Sequence, residues 1–225
     1  MSLAVIYGGK STEREVSIKS KNAICAALNT LSIPYIELEL DNNLTDNLKK
    51  HNISKVFNSC HGSFGEDGRL AALLDLMEIP YTHSGFHSSN IGMDKLLSKL
   101  LALDLNINQP EYAIIDNFDN LSEKSEKLMA KPFALKPINE GSSVAVQIVL
   151  EPEKFTLNSA LKKYPKLIIE EYIKGTEVNI AIINNKAIGG VEICPKNLFY
   201  DYEAKYLSND TKYFVPPRIE DNLYK

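Results

Sequence analysis

Three lysines, Lys95, Lys136 and Lys205, stand in three separate segments of the chain. Cations converging from different directions are what a polyphosphate needs, because charge grows on a phosphoryl group during its transfer. Solvated surface is the commoner fate of lysine. Lys136 fits that fate poorly, since it follows the apolar run Phe133-Ala134-Leu135 and precedes Pro137. Gly141-Ser142-Ser143 is a loop of small residues. Such a loop can bring backbone N–H groups and hydroxyls up to phosphate, or it can be an ordinary hairpin turn. Glu13 and Glu15 lie just before or within the first turn of a helical segment, where acids are favoured by the helix dipole. His61-Gly62 follows a short apolar segment, with Gly65-Glu66-Asp67-Gly68 just beyond.

Two patterns are set aside. Gly9-Lys10-Ser11 imitates the end of a Walker A motif, but the glycine required five residues before Gly9 is Ala4. His83 and His87 have a metal-like spacing of four, yet no third ligand stands near them in the sequence.

The elements that must position these residues alternate at first between strand and helix. Leu3–Tyr7 is a continuous apolar run, the signature of a strand buried on both faces. Val16–Leu28 has helical spacing, Tyr35–Leu40 reads as a second strand and Lys55–Asn58 as a third. Leu70, Leu73, Leu74 and Met77 make one helix face, ended by Pro80. This order predicts a mostly parallel α/β sheet, with Gly8-Gly9 and His61-Gly62 in loops at strand carboxyl ends, where such sheets take ligands. A boundary is expected near residues 84–89, then a helix over Asp94–Leu103 and a turn cluster over Asn106–Pro110. The second half reads as α+β with antiparallel pairs. Phe133–Pro137 and Val144–Leu150 form one hairpin, and Leu167–Tyr172 is a strand. Glu177–Ile183 and Ala187–Ile193 form a second hairpin about Asn184-Asn185. Residues 197–217 are aromatic and charged without a clear period, and a loop that long is usually functional or mobile.

Composition narrows the class. Of 225 residues, 44% are hydrophobic and 24% charged, and the formal net charge is −4. That is ordinary for a globular chain and argues against a general nucleic-acid binder. No apolar run approaches the ~20 residues of a membrane helix. Cys25, Cys60 and Cys194 are far apart and make no zinc spacing, so a reduced cytoplasmic protein is expected.

Taken in order, these clusters resemble the D-alanine–D-alanine ligases of the ATP-grasp superfamily, from Gly8 to about Pro217. The carriers are Gly8-Gly9 with Glu13-Arg14-Glu15-Val16-Ser17, and His61-Gly62 with Gly65–Gly68. Met93-Asp94-Lys95, Leu135-Lys136-Pro137 and Glu140–Val144 follow, then Glu170-Glu171-Tyr172 with Gly175 and Glu177. Phe199-Tyr200-Asp201-Tyr202-Glu203-Ala204-Lys205-Tyr206 and the Glu140–Val144 loop are the most specific. The resemblance implies an ATP-grasp fold with an N-terminal parallel α/β domain over 1–87. A central α+β domain over 88–174 and an incomplete C-terminal α+β domain over 175–225 would follow. It implies that ATP phosphorylates the carboxylate of one D-alanine and that the amine of a second attacks the acyl phosphate. Catalytic roles fall to Glu13, Ser142 and Tyr206, with Ser142 hydrogen-bonded to Tyr206 and Glu13. Substrate contacts fall to Glu13, Val16 and His61, Glu13 facing the first amino group. ATP contacts fall to Lys95, Lys136, Glu140, Ser142, Ser143, Glu170, Glu171, Ile173, Glu177 and Lys205. The stretch from Glu170 to Ile173 would read adenine, and Glu177 would bind ribose hydroxyls. Tyr206 favours D-alanine over D-lactate as second substrate, and a D-serine or D-lactate ligase is the neighbouring alternative. ATP and Mg²⁺ are the implied cofactors. The resemblance also implies peptidoglycan precursor synthesis in the cytoplasm and a homodimer formed through the first domain.

Departures are few. Ala71-Ala72, His83 and Ala145 stand where the family usually has glycine, and Ala145 is expected in a strand. Family members continue past Pro217 with an arginine for the transition state and the magnesium ligands. None of these is present in residues 218–225, so the 225-residue chain by itself is expected to be inactive, and a non-catalytic remnant is the alternative. The expected result of an ADP-release assay with D-alanine and magnesium is no robust turnover by these 225 residues; brisk turnover would overturn it.

Overall fold

The computed structural model describes residues 2–220. The chain divides into two compact units, Met1–Gln109 with Ile138–Gly141, and Pro110–Pro137 with Ser142–Lys225.

The first unit is built on β1 (Ser2–Tyr7), α1 (Arg14–Thr30), β2 (Tyr35–Glu39), α2 (Leu44–Lys50), β3 (Ile53–Asn58) and α3 (Arg69–Leu76). Its sheet is parallel, in the order β2-β1-β3. Ala4 and Ile6 of β1 pack with Leu38, Leu48, Val56 and Leu74 in one core, while Val5 packs with Cys25 and Leu28 of α1 in another. A central strand covered on both faces needs apolar residues at every position, which is why this one reads as an unbroken run. α4 (Phe86–Met93) fills the stretch where the sequence suggested only a boundary. It buries no residue, so it leaves no apolar stripe to be read. α5 (Lys95–Asp104) follows at once, and its N-cap Asp94 accepts a hydrogen bond from the Leu97 amide at 2.9 Å.

The second unit begins with β4 (Tyr112–Ile115), α6 (Glu123–Met129), β5 (Phe133–Pro137), β6 (Gln147–Val149) and β7 (Leu167–Glu171). These strands make an antiparallel sheet in the order β4-β7-β5-β6. Phe133, Leu135, Ile115, Leu167 and Ile169 form its core with Leu128 of α6 and Leu161. β4 was not foreseen: four residues behind a turn cluster are too few to show a period. β8 (Glu177–Ile183) and β9 (Lys186–Cys194) make the expected hairpin. Asn184 and Asn185 take φ of 49° and 60°, the left-handed pair that a two-residue turn of this hand needs. The aperiodic stretch after β9 contains α7 (Tyr202–Tyr206) and β10 (Lys212–Phe214), which returns to pair with β9.

One expectation fails instructively. The strand foreseen over Val144–Leu150 is only Gln147–Val149, and residues 142–145 form a turn instead. Ser142, Ser143 and Ala145 take φ of 47°, 60° and 55°. Ala145 therefore sits in the left-handed region, which costs a residue with a Cβ roughly 1–2 kcal/mol. Glycine escapes that strain at some cost in chain entropy. Ala145→Gly is expected to raise stability by about 0.5–1 kcal/mol, or roughly 2 °C in a melting curve. A loss of stability would mean that the packing of the Ala145 methyl against the core outweighs the strain.

Candidate active site

In the first unit the site is built around Glu13, at the amino end of α1. It is 1% exposed. Two glycine-bearing loops pass close to its carboxylate. A Cβ on Gly62 would lie 2.6 Å from Glu13 Oε2 and 2.3 Å from Ser11 Oγ, and one on Gly141 would lie 3.0 Å from Glu13 Oε2. Gly62 also has φ of +69°, so glycine is required there for conformation as well as for space. Val16, one turn into α1, is buried. His61 lies between Ser20 Oγ, 2.9 Å from Nε2, and Glu66 Oε1, 3.4 Å from Nδ1. Glu66 is fixed in turn by the Gly62 N–H at 2.7 Å. Ligand atoms of Glu13, His61 and Glu66 all lie within 4.8 Å of one another. Two carboxylates around one imidazole make a pocket of negative charge suited to a cation such as an ammonium group.

The hydrogen bond that His61 donates to Glu66 raises the His61 pKa, against an opposing effect of burial. Burial pushes the Glu66 carboxyl up, but hydrogen bonds from His61 and the Gly62 amide outweigh it and the pKa falls. Glu66 escaped the sequence reading as a site residue. Its only signal was its place in the Gly-Glu-Asp-Gly stretch five residues after His61.

Lys95 also belongs to this unit. Its Nζ donates to the Glu140 carbonyl at 2.5 Å and its amide to the Ile138 carbonyl at 3.1 Å. The start of α5 thus anchors the segment carrying Glu140 and Gly141, and Thr12 Oγ1 donates to Glu140 Oε2 at 3.4 Å.

In the second unit Lys136 of β5 is ion-paired with the buried carboxylate of Glu170 on neighbouring β7. Glu171 accepts from Lys131 at 3.0 Å. The amides of Glu171 and Tyr172 donate to the Glu111 and Pro132 carbonyls. Ile173 follows, exposed and with no hydrogen-bond partner among the described residues, so its N–H and C=O are open to a ligand edge. Glu177 opens β8 in an exposed position. Ser142 Oγ lies 2.6 Å from Tyr206 Oη, and Lys205 Nζ donates to Ser143 Oγ at 2.9 Å. Consecutive serines of the turn thereby meet consecutive residues of α7. Asp201 makes this possible by capping α7, its carboxylate accepting from the Ala204 amide at 2.8 Å. The Lys205 ammonium, two serine hydroxyls and a strained turn are together equipped to hold phosphate. Of the three residues expected to act as a trio, Ser142 and Tyr206 meet within the second unit, and Glu13 lies in the first. Residues 221–225, part of the segment in which the sequence showed no metal ligands, lie outside the described residues.

Comparison with known proteins bears on the fold and the family. Residues 101–225 match the family profile described as D-ala D-ala ligase C-terminus. The chain is 41% identical over 226 aligned positions to a D-alanine–D-alanine ligase of Wolbachia pipientis wMel, an alignment covering 100% of this chain and 71% of that protein. Its fold matches the crystal structure of a D-alanine–D-alanine ligase from Bacillus anthracis with a TM-score of 0.81 at 30% identity, over 99% of this chain and 74% of that one. The B. anthracis enzyme complexed with ATP matches with a TM-score of 0.76 at 28% identity, over 98% and 71% of the two chains. The fold and these matches define a ligase of the ATP-grasp class. The chain belongs to the D-alanine–D-alanine ligase family.

The His61–Glu66 pair gives the first unit a pH signature. The raised His61 pKa contributes stability that is full below the ordinary value of 6.5 and is lost as pH rises through the raised value. The lowered Glu66 pKa contributes stability present above the ordinary 4.5 and lost as pH falls through the lowered value. Glu66→Gln is therefore expected to destabilise more near pH 5.5 than near pH 9, read by urea unfolding at both. An equal loss at the two values would show that His61 draws no proton linkage from Glu66.

Proposed function

We propose that the residues of this chain serve the joining of two D-alanine molecules to D-alanyl-D-alanine, with ATP converted to ADP and phosphate. The carboxylate of the first D-alanine takes the γ-phosphoryl group of ATP. The free amine of the second attacks the acyl phosphate carbon, phosphate leaves, and the amine's extra proton is lost. Membership of the family names the reaction. The observation that carries the site is the pairing of Ser142 and Ser143 with Tyr206 and Lys205.

In this reading Glu13 holds the ammonium of the first D-alanine, with Val16 and His61 beside it. Lys95, Lys136 and Lys205 neutralise phosphate charge, and Ser142 and Ser143 cover the phosphates with Glu140 in the preceding turn. Glu170, Glu171 and Ile173 border adenine, and the open backbone of Ile173 supports that role. Glu177 takes ribose hydroxyls. Tyr206 belongs to the hydroxyl pair with Ser142 and favours an amine over a hydroxy acid as second substrate. The division into domains at 1–87, 88–174 and 175–225 belongs to the same proposal.

Magnesium accompanies ATP in this proposal. Glu13, His61 and Glu66, the one cluster of three potential ligands among the described residues, include an imidazole, which a hard cation seeking oxygen takes poorly. They do not fit magnesium, and no residue of this chain is given to it. Synthesis of cell-wall precursors in the cytoplasm completes the reading. No helix of the described residues is long and apolar enough to cross a membrane. A homodimer formed through the first domain belongs to the same proposal.

Calorimetry with MgATP on this chain and on Lys136→Ala tests the nucleotide site. Binding by the parent and a loss of roughly tenfold or more in the variant are expected. Equal affinity would remove Lys136 from the phosphate site. The substitution also takes the ammonium from the buried Glu170, a cost of about 3–5 kcal/mol for a buried pair, so both proteins are compared well below their melting points.

A further inference from the structure

Tyr200 joins four things within the second unit. Its ring lies under Lys205, with Nζ 5.3 Å from the ring centroid. Its backbone carbonyl accepts from Ser143 Oγ at 2.9 Å. Its hydroxyl lies 2.7 Å from the hydroxyl of Tyr213, and the two rings meet edge to face at 6.4 Å. Its chain neighbour Asp201 is the cap of α7, which carries Lys205 and Tyr206.

These contacts have a direction. Tyr213 lies in β10 and is paired with Ile193 of β9, so it is part of the sheet. Tyr200 lies outside any regular element, 13 residues before it. The hydroxyl bridge therefore ties the beginning of a long excursion to a rigid strand. From that anchor Tyr200 reaches both halves of the candidate phosphate site, the Ser143 turn through its carbonyl and the Lys205 ammonium through its ring. A lysine side chain has four rotatable bonds and loses much freedom when held in one place. An aromatic face beneath it restricts the ammonium without neutralising it, whereas a carboxylate partner would cancel the charge that phosphate needs. Burial and the facing Tyr213 push the Tyr200 phenol pKa up, so the ring carries no charge of its own at neutral pH.

We propose that Tyr200 is a positioning residue for the nucleotide phosphates, holding Lys205 and the Ser143 turn in register from an anchor on Tyr213. The proposal rests on the reading of Lys205 as a phosphate ligand. Tyr200 itself touches no reacting atom. Its effect should therefore appear in the affinity for ATP, which carries the outer phosphates, and not in the affinity for AMP, which shares the base, the ribose and only the first phosphate.

The test is calorimetry with MgATP and with AMP on the full chain and on Lys205→Ala, Tyr200→Leu, Tyr200→Phe, Tyr213→Phe and the double phenylalanine variant, each checked by melting curve. Tyr200→Leu is expected to weaken ATP binding roughly tenfold while leaving AMP affinity unchanged. Tyr200→Phe keeps the ring and should lose much less. Tyr213→Phe should match it, and the double variant should add nothing further, because both remove the same bridge. Unchanged ATP affinity in Tyr200→Leu, or equal losses for ATP and AMP, would overturn the proposal, the second result being that of a merely structural residue. If Lys205→Ala binds ATP as tightly as the parent, the phosphate reading of Lys205 fails and the proposal falls with it. A loss in Lys205→Ala alone overturns only the role of Tyr200.

Discussion

Glu13 is 1% exposed in the first unit and Glu170 6% exposed in the second, and a carboxylate taken out of water must be answered by charge or hydrogen bonds. The two units surround these carboxylates differently. Around Glu13 the chain brings glycine-bearing loops so close that side chains there would collide with the carboxylate. Around Glu170 a lysine from the adjacent strand supplies the counter-charge directly. Glu192 of β9 is a third case, clasped by Arg218 through hydrogen bonds of 2.8 to 2.9 Å that hold its carboxyl down to about 2. The first two lie where the chemistry is proposed. The placement of Gly62, Gly141 and Lys136 follows from them.

The turn at residues 142–145 shows the opposite economy. Three non-glycine residues there are held in left-handed conformations, each a cost to stability. They persist because side chains from α7 reach the turn: Tyr206 meets Ser142 and Lys205 meets Ser143. Local strain and tertiary hydrogen bonds thus belong to one arrangement. The serines present hydroxyls in directions that relaxed backbone would not give them.

The parallel sheet of the first unit was legible in β1, because a strand covered on both faces leaves an unbroken apolar run. The β8–β9 hairpin was legible in Asn184-Asn185, because few residues accept two successive left-handed conformations. α4 was not legible, since a helix that buries nothing needs no stripe. β4 was not, since four residues carry too little pattern. Ala145 was misplaced in a strand, because a φ value is set by how the chain closes the β5–β6 connection and not by the residue's own preference.

The same boundary separates the two halves of the site. Residue types and their order along the chain determined the family, the candidate lysines, the serine turn, and Glu13 with His61, because chemistry demands particular functional groups and a family retains their order. Only the tertiary structure decided that Glu66 completes the negative pocket, that Glu170 is the buried partner of Lys136, and that Tyr200 stands between Lys205 and Tyr213. Those relations join residues up to 53 positions apart, Glu13 and Glu66 being 13 and 66 in the chain. Their distances depend on strand register and loop closure, which no local pattern of residues specifies.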